Sequence, residues 1–380
     1  MASSSVSEKK VLFIEASNIR AGGGLTHLIE LLRVASPTDA GIQEVIVLAP
    51  DSSLNKIEAR PWLTKYSHPF LNRNYFFRFL WQLLVLPGLV RKKQAILFIP
   101  GAGKPMFSYP YVTMCRNLLP LDFKELLRFG FSFTTVRLLF LRFLHLNAYK
   151  NAQGVIFLTQ YCFDILPQRV RQKIKNKTVI PHGINHTFFN AIPTQREEKS
   201  ILKLLYISII NLYKHQDKVA QAVINLNKKG YSVHLTLIGP AYGPALKKLQ
   251  EVMVGYEDWV EYKGRIPYDQ LAKEYYDHDA FIMASTCETF CMILTEAMAM
   301  GMPITCSSKS SLPETLGEAG IYFDPEQLDS IEKNILKLCM DSSLRENLSQ
   351  RALLRSRKYT WETCAIQTFR FVTATSKKSI

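Results

Sequence analysis

Short apolar runs rich in Val, Ile, Leu and Phe alternate, in both halves of this chain, with segments whose apolar residues recur at helical spacing, and this pattern narrows the fold more than any other feature. In the first half the runs are VLFIEA (11–16), EVIVLAP (44–50), AILFIP (95–100) and GVIFL (154–158); in the second they are LLYISII (204–210), VHLTLIG (233–239), AFIMAS (280–285) and MPITC (302–306). A continuous apolar run of this length suits a strand buried on both faces. Segments such as LTHLIELL (25–32) and LTEAMAM (294–300) suit the helices between such strands. Repeated strand–helix units imply parallel sheets covered by helices. At 380 residues the chain is too long for one ordinary core, and 47% apolar residues can fill two. The expectation is an α/β protein with two Rossmann-like domains facing each other across a cleft, where ligands meet the carboxyl ends of the strands. The turn in VIPHGINHTFF (179–189) and the polar stretch PTQREEKS (193–200) place the boundary: 1–190, 191–360, and a closing helix over 361–380 packing back on the first domain.

The N-terminus is polar, and VLFIEA is far shorter than a signal-peptide core or a spanning helix, so the expected location is cytoplasmic. Seven cysteines without a CxxC pair argue against a disulfide framework, and Cys287 and Cys291 read as packing residues rather than metal ligands. Charge is uneven. Of the net +15, residues 1–190 carry +14. The basic surface therefore belongs to the first half, although no DNA- or RNA-binding motif accompanies it and no nucleic-acid partner is expected.

The stretch CETFCMILTEAMAMGMPI (287–304) sets Glu288 and Glu296 around a run that otherwise reads as a buried helix. With AFIMAS as a strand, Glu288 falls in the loop at its carboxyl end and Glu296 a turn inside the following helix, which Gly301 closes. Amides at the start of that helix, around Phe290, Cys291, Met292 and Ile293, point their dipole at an anion such as phosphate. Carboxylates would repel phosphate but suit sugar hydroxyls as acceptors. The two glutamates are thus expected to face a polyhydroxy ligand.

Glu288 and Glu296 with seven residues between, followed by Ala297, Gly301 and Pro303, resemble the E-x7-E signature of the retaining glycosyltransferases of GT-B fold, glycosyl transferases group 1, family 4. The segments LPETLGEAGIYFDPEQLDSI (312–331), PHGIN (181–185) and SIINLYKHQDKVAQAV (208–223) extend the resemblance. The family implies that Glu296 holds the ribose of a nucleotide, that Glu288 with the Phe290 and Cys291 amides holds the transferred sugar and distal phosphate, and that Lys214 contacts the diphosphate. Gly22, Gly23 and Gly24 would let the first loop approach the donor closely. Three positions depart from the family: Ile209 stands where an arginine is frequent, Cys291 where glycine is usual, and the first-domain histidine has no counterpart, leaving Arg116 and Asn117 in YVTMCRNLLPLD as acceptor or sugar candidates.

The family implies transfer from a nucleotide diphosphate sugar to a lipid-linked or growing glycan acceptor, of the kind that builds cell-surface polysaccharide and lipopolysaccharide, with no cofactor and no metal. An epimerase or phosphorylase of the same fold is the other enzyme reading, a non-catalytic basic nucleic-acid-binding protein is the reading from another class, and the two glutamates with Lys214 favour transfer. Asp277-His278-Asp279 spells D-x-D, but at the amino end of a strand, away from the expected ligands. Two stretches, 75–93 and 123–150, mix aromatic, Leu and Arg/Lys residues as interfacial helices do. With the basic first half they imply peripheral contact with an anionic membrane, at its cytoplasmic face.

Overall fold

The structure, a computed structural model, describes residues 10–189 and 201–376. The stretch read as a linker, 193–200, lies outside the described residues. The chain divides into two compact units, each an α/β sandwich.

The first unit comprises residues up to 121, 137–183 and those from 361 onward. Its seven strands are β1 Val11–Glu15, β2 Glu44–Leu48, β3 Leu63–Tyr66, β4 Ile96–Ile99, β5 Tyr111–Cys115, β6 Gly154–Phe157 and β7 Lys177–Val179, all parallel, in the order β3-β2-β1-β4-β5-β6-β7. Phe13 of β1 stands opposite Ile46 of β2 and Leu97 of β4, so the centre of the sheet is apolar on both faces. The last helix, Trp361–Ser376, packs against helix Gly22–Val34 and strands β4, β5 and β6. That contact is close: a Cβ on Gly154 would lie 2.8 Å from the Phe371 ring.

The second unit comprises 122–136 and 184–360. Its strands are β8 Leu202–Ile207, β9 Val233–Ile238, β10 Val260–Gly264, β11 Ala280–Met283, β12 Ile304–Ser307 and β13 Ile321–Phe323, parallel in the order β10-β9-β8-β11-β12-β13. In both sheets the strand order reverses beside the first strand, between β1 and β4 and between β8 and β11. Such switch points are where parallel sheets open a crevice for ligands at their carboxyl ends.

Residues 122–136, expected in the first domain, group with the second instead. Helix Phe123–Leu127 is capped by the Asp122 carboxylate, which accepts from the Glu125 amide at 3.2 Å, and Arg128 just beyond it pairs with Glu326. The physical reason is burial of Glu125, which finds its partners only there. The interfacial reading of 123–150 is therefore divided. Lys124 and Arg128 are committed to Glu326, whereas Leu139, Phe140 and Phe143 on helix Phe133–Asn151 stand exposed. In the other stretch Arg78 is buried and donates to Asn18 Oδ1 at 2.9 Å, while Tyr75, Phe76 and Leu84 are exposed. Among the described residues no helix is long and apolar enough to cross a membrane.

Candidate active site

The loops after β8 and β11 flank the switch point of the second sheet, and the candidate residues gather there. After β8 the chain turns through a short helical turn, Leu212–Lys214, and His215 adopts a left-handed backbone, φ +50°, before helix Gln216–Lys228 begins. After β11 it reaches Glu288 and then helix Met292–Ala299. Buried hydrogen bonds bind the two loops together. The Tyr206 hydroxyl donates to the Lys214 carbonyl at 2.6 Å and accepts from the Ala284 amide at 3.1 Å, and the Thr286 amide donates to the Tyr213 carbonyl at 2.9 Å.

This brings Lys214 and Glu288 into a direct ion pair, largely shielded from water. Burial works against the Lys214 charge, but the Glu288 carboxylate together with Tyr213, Cys291 and Tyr206 outweighs it, so the pKa moves up and the ammonium stays charged. The backbone of Glu288 is clamped as well: its amide donates to Ser310 Oγ at 2.8 Å, and its carbonyl accepts from Ser310 and Ser311 at 3.0 and 2.9 Å. A charged ammonium and a helix start can offer positive charge to an anion, and a carboxylate can accept from hydroxyls.

Glu296 is buried on the helix and is engaged from inside the unit. The Tyr268 and Tyr275 hydroxyls donate to its two oxygens at 3.0 and 3.2 Å. Burial, only partly offset by these bonds, pushes its pKa up from 4.5 to about 7. The helix thus tolerates Glu296 through two tyrosines supplied by other elements. Neither was legible as a partner, because Tyr268 and Tyr275 lie 28 and 21 positions away.

Phe290 fills the core, its ring edge-on to Tyr359 at 5.2 Å and its carbonyl held by Thr315 at 2.9 Å. Cys291 caps the helix in the left-handed region, φ +67° and ψ +76°. Met292 follows as the first helical residue, so its amide has no acceptor within the helix. A side chain at Cys291 costs about 1–2 kcal/mol relative to a residue without Cβ, which accounts for glycine being usual there. Cys291→Gly is accordingly expected to be more stable than Cys291→Ala by about 1 kcal/mol, read from urea denaturation.

The remaining candidates form a group within the first unit. Gly22 has φ +65° and open space where a Cβ would stand, Gly23 beside it is exposed, and Gly24 meets Arg116: a Cβ there would lie 2.2 Å from the guanidinium. Arg116 donates to the Gly24 carbonyl at 3.2 Å and approaches His27 Nδ1 at 3.4 Å, and burial lowers its pKa to about 10. The room expected at Gly24 for a donor is thus used by Arg116. Asn117 is exposed and its side chain accepts from the Leu119 amide at 3.3 Å. The sequence reading passed over His27, whose ring lies tilted against those of His182 and Trp361, at 4.7 and 5.8 Å between centroids.

Among the described residues, the one set of three grouped as possible metal ligands is His27, His182 and Cys364. It fits a cation poorly, since the Arg116 guanidinium already sets a positive charge 3.4 Å from His27 Nδ1. The D-x-D residues diverge: Asp277 pairs with Lys273, whereas Asp279 accepts from the Lys203 amide at 2.9 Å.

Residues 190–355 match the family model for glycosyl transferases group 1, which takes in both loops of the site. The O-antigen chain mannosyltransferase B of Escherichia coli is 38% identical over 112 residues, 30% of this chain and 29% of the relative, so the match spans less than a third of that protein. Sucrose-phosphate synthase from Thermosynechococcus elongatus shares the fold with a TM-score of 0.74 at 16% identity, over 98% of this chain and 100% of its own. Anabaena Alr3699/HepE, solved with UDP and glucose, does so with a TM-score of 0.67 at 16% identity, again over 98% and 100%. At such identities the likeness is one of fold, and that fold is GT-B. With the switch-point loops, Glu288, Glu296 and the matched residues in agreement, residues 190–355 of this chain are a glycosyl transferases group 1 segment on a GT-B fold.

Proposed function

We propose that this protein transfers a glycosyl group, with retention of anomeric configuration, from a nucleotide diphosphate sugar to a lipid-linked or growing glycan acceptor. The observation that carries this reading is the buried Lys214–Glu288 pair at the β8/β11 switch point, one turn from the start of helix Met292–Ala299. Breaking the bond from the anomeric carbon to the diphosphate leaves negative charge on the departing phosphate. A preorganised ammonium and helix amides stabilise that charge, and one such donor is worth on the order of 3 kcal/mol. In the free protein Glu288 neutralises Lys214; an arriving diphosphate competes for the ammonium and frees the Glu288 carboxylate to accept from hydroxyls of the sugar. Glu296 accepts from the ribose.

The mannosyltransferase relative and the complex of the Anabaena protein with UDP and glucose make mannosyl donors and glucosyl donors on UDP the first to try, beside the same sugars on GDP. On the acceptor side, the first unit holds a cavity of about 1230 Å³ between helices Tyr75–Leu84 and Phe133–Asn151, lined by Phe76, Phe79, Met106, Phe140 and Leu144. Such a lining suits an apolar chain better than a free sugar. With the +14 charge of residues 1–190 it supports an amphiphilic acceptor at an anionic membrane surface, on the cytoplasmic side.

Nucleotide release is the test, measured with each donor in the presence and absence of lipid-extract acceptors in anionic vesicles. Release from one donor that rises on adding acceptor supports transfer. Release that ignores every acceptor while free phosphate accelerates it would favour a phosphorylase.

A further inference from the structure

We propose that Glu125 is a positioning residue for glycosyl transfer, its buried carboxylate holding the Thr286 hydroxyl and through it the backbone that aligns Glu288 with Lys214. The inference rests on the transfer reaction proposed above and extends it to a residue far from the matched segments. Glu125 is 3% exposed, and its Oε2 accepts from Thr286 Oγ1 at 2.6 Å. Thr286 lies two positions before Glu288, and its amide donates to the carbonyl of Tyr213, the residue before Lys214. The Thr286 hydroxyl also lies 3.2 Å from the Tyr213 carbonyl, so one residue joins the loops that carry the two charged partners. His215 Nε2 closes the arrangement at 3.4 Å from Thr286 Oγ1.

Glu125 is in turn fixed from the other side. Arg128 donates from Nε to Oε2 and from a terminal nitrogen to Oε1, the latter at 3.0 Å, and also pairs with Glu326. Glu326 sits in the loop after β13, where Lys124 reaches it at 2.8 Å and Lys218 donates to its carbonyl at 2.7 Å. The carboxyl-end loops of β11 and β13 are thus tied directly to one short segment, 122–128, that enters the second unit from the first half of the chain, and the β8 loop is joined to it through Thr286. A buried carboxylate is retained only where such partners compensate it. No atom of Glu125 forms a bond with Lys214 or Glu288, so its action passes through Thr286.

The test is a series of variants read for kcat, KM for the donor and melting temperature. Glu125→Ala and Thr286→Val are each expected to lower kcat about tenfold or more, because small misplacements of charged groups are costly to turnover, while donor KM moves less than about threefold since Glu296 stands outside the network. The double variant should be no slower than the worse single, as expected of two ends of one bond. Glu125→Gln and Thr286→Ser, which keep an acceptor and a hydroxyl, should return kcat to within about threefold of wild type. If Glu125→Ala does not fold, the contrast between Thr286→Val and Thr286→Ser decides alone. A kcat unchanged in Thr286→Val, or losses of kcat and donor affinity that simply track melting temperature and that Thr286→Ser shares, would overturn the positioning role while leaving transfer intact. A wild-type protein that binds and turns over no nucleotide sugar overturns both.

Discussion

Replacing Lys214 by Ala is expected to slow transfer between ten- and a thousandfold, the range for losing one stabiliser of a leaving-group charge. Because the ammonium is already paired, the change also strands Glu288. A carboxylate left alone in a mostly buried site destabilises the fold, here by about 2–3 kcal/mol, toward the low end because Glu288 keeps partial contact with water. The two losses separate in a combined variant: Lys214→Ala with Glu288→Gln should recover stability but not rate. In the proposed function Lys214 and the helix amides would take the part of a metal, so EDTA is expected to leave the wild-type rate unchanged. Inhibition by EDTA that manganese reverses would move attention to Asp277 and Asp279, even though each is engaged elsewhere at the amino end of the sheet.

The second large effect belongs to Glu296 and depends on pH. Its folded pKa lies near 7, above its ordinary 4.5, so folding favours the protonated form. The stabilisation this brings is complete below pH 4.5 and is lost as pH rises through 7. Relative to Glu296→Gln, wild type should therefore lose up to about 3 kcal/mol of stability between pH 4 and pH 8, by denaturant titration at each pH. Donor affinity should run the other way. The charged carboxylate is the better acceptor for ribose hydroxyls, so wild-type binding tightens as pH climbs past 7. Glu296→Gln should bind with little pH dependence and about thirtyfold more weakly at pH 8, the worth of a hydrogen bond to a charged group. If the pH dependence of stability is the same in both proteins, the carboxylate is not the titrating group.

What could be read from the sequence follows from where each residue's partners lie. Buried central strands such as Val11–Glu15, apolar up to its last residue, and Ala280–Met283 declare themselves. Leu63–Tyr66, Lys177–Val179 and Val260–Gly264 did not: each runs at a sheet edge with solvent on one side, and its Lys, Thr or Glu residues break the apolar signal. Tyr111–Cys115 is central and fully buried, yet the polar residues just after it drew attention to a site rather than a strand. At the site, Glu288 could be found because it follows a legible strand, and Lys214 through the resemblance of its segment, SIINLYKHQDKVAQAV, to the family. Their pairing to each other could not, with 74 positions between them. Glu125 carried no local sign at all, since its partner is 161 positions away and its helix spans only five residues.

Calorimetric titration of the ligand-free protein with UDP and with GDP puts the central claim, a nucleotide diphosphate site built on Lys214 and Glu296, to its most direct trial. One nucleotide should bind with a stoichiometry of one, and its affinity should fall in both Lys214→Ala and Glu296→Ala while Asp277→Ala binds as wild type. Absence of binding by either nucleotide, or binding that both site variants leave unchanged, would contradict it.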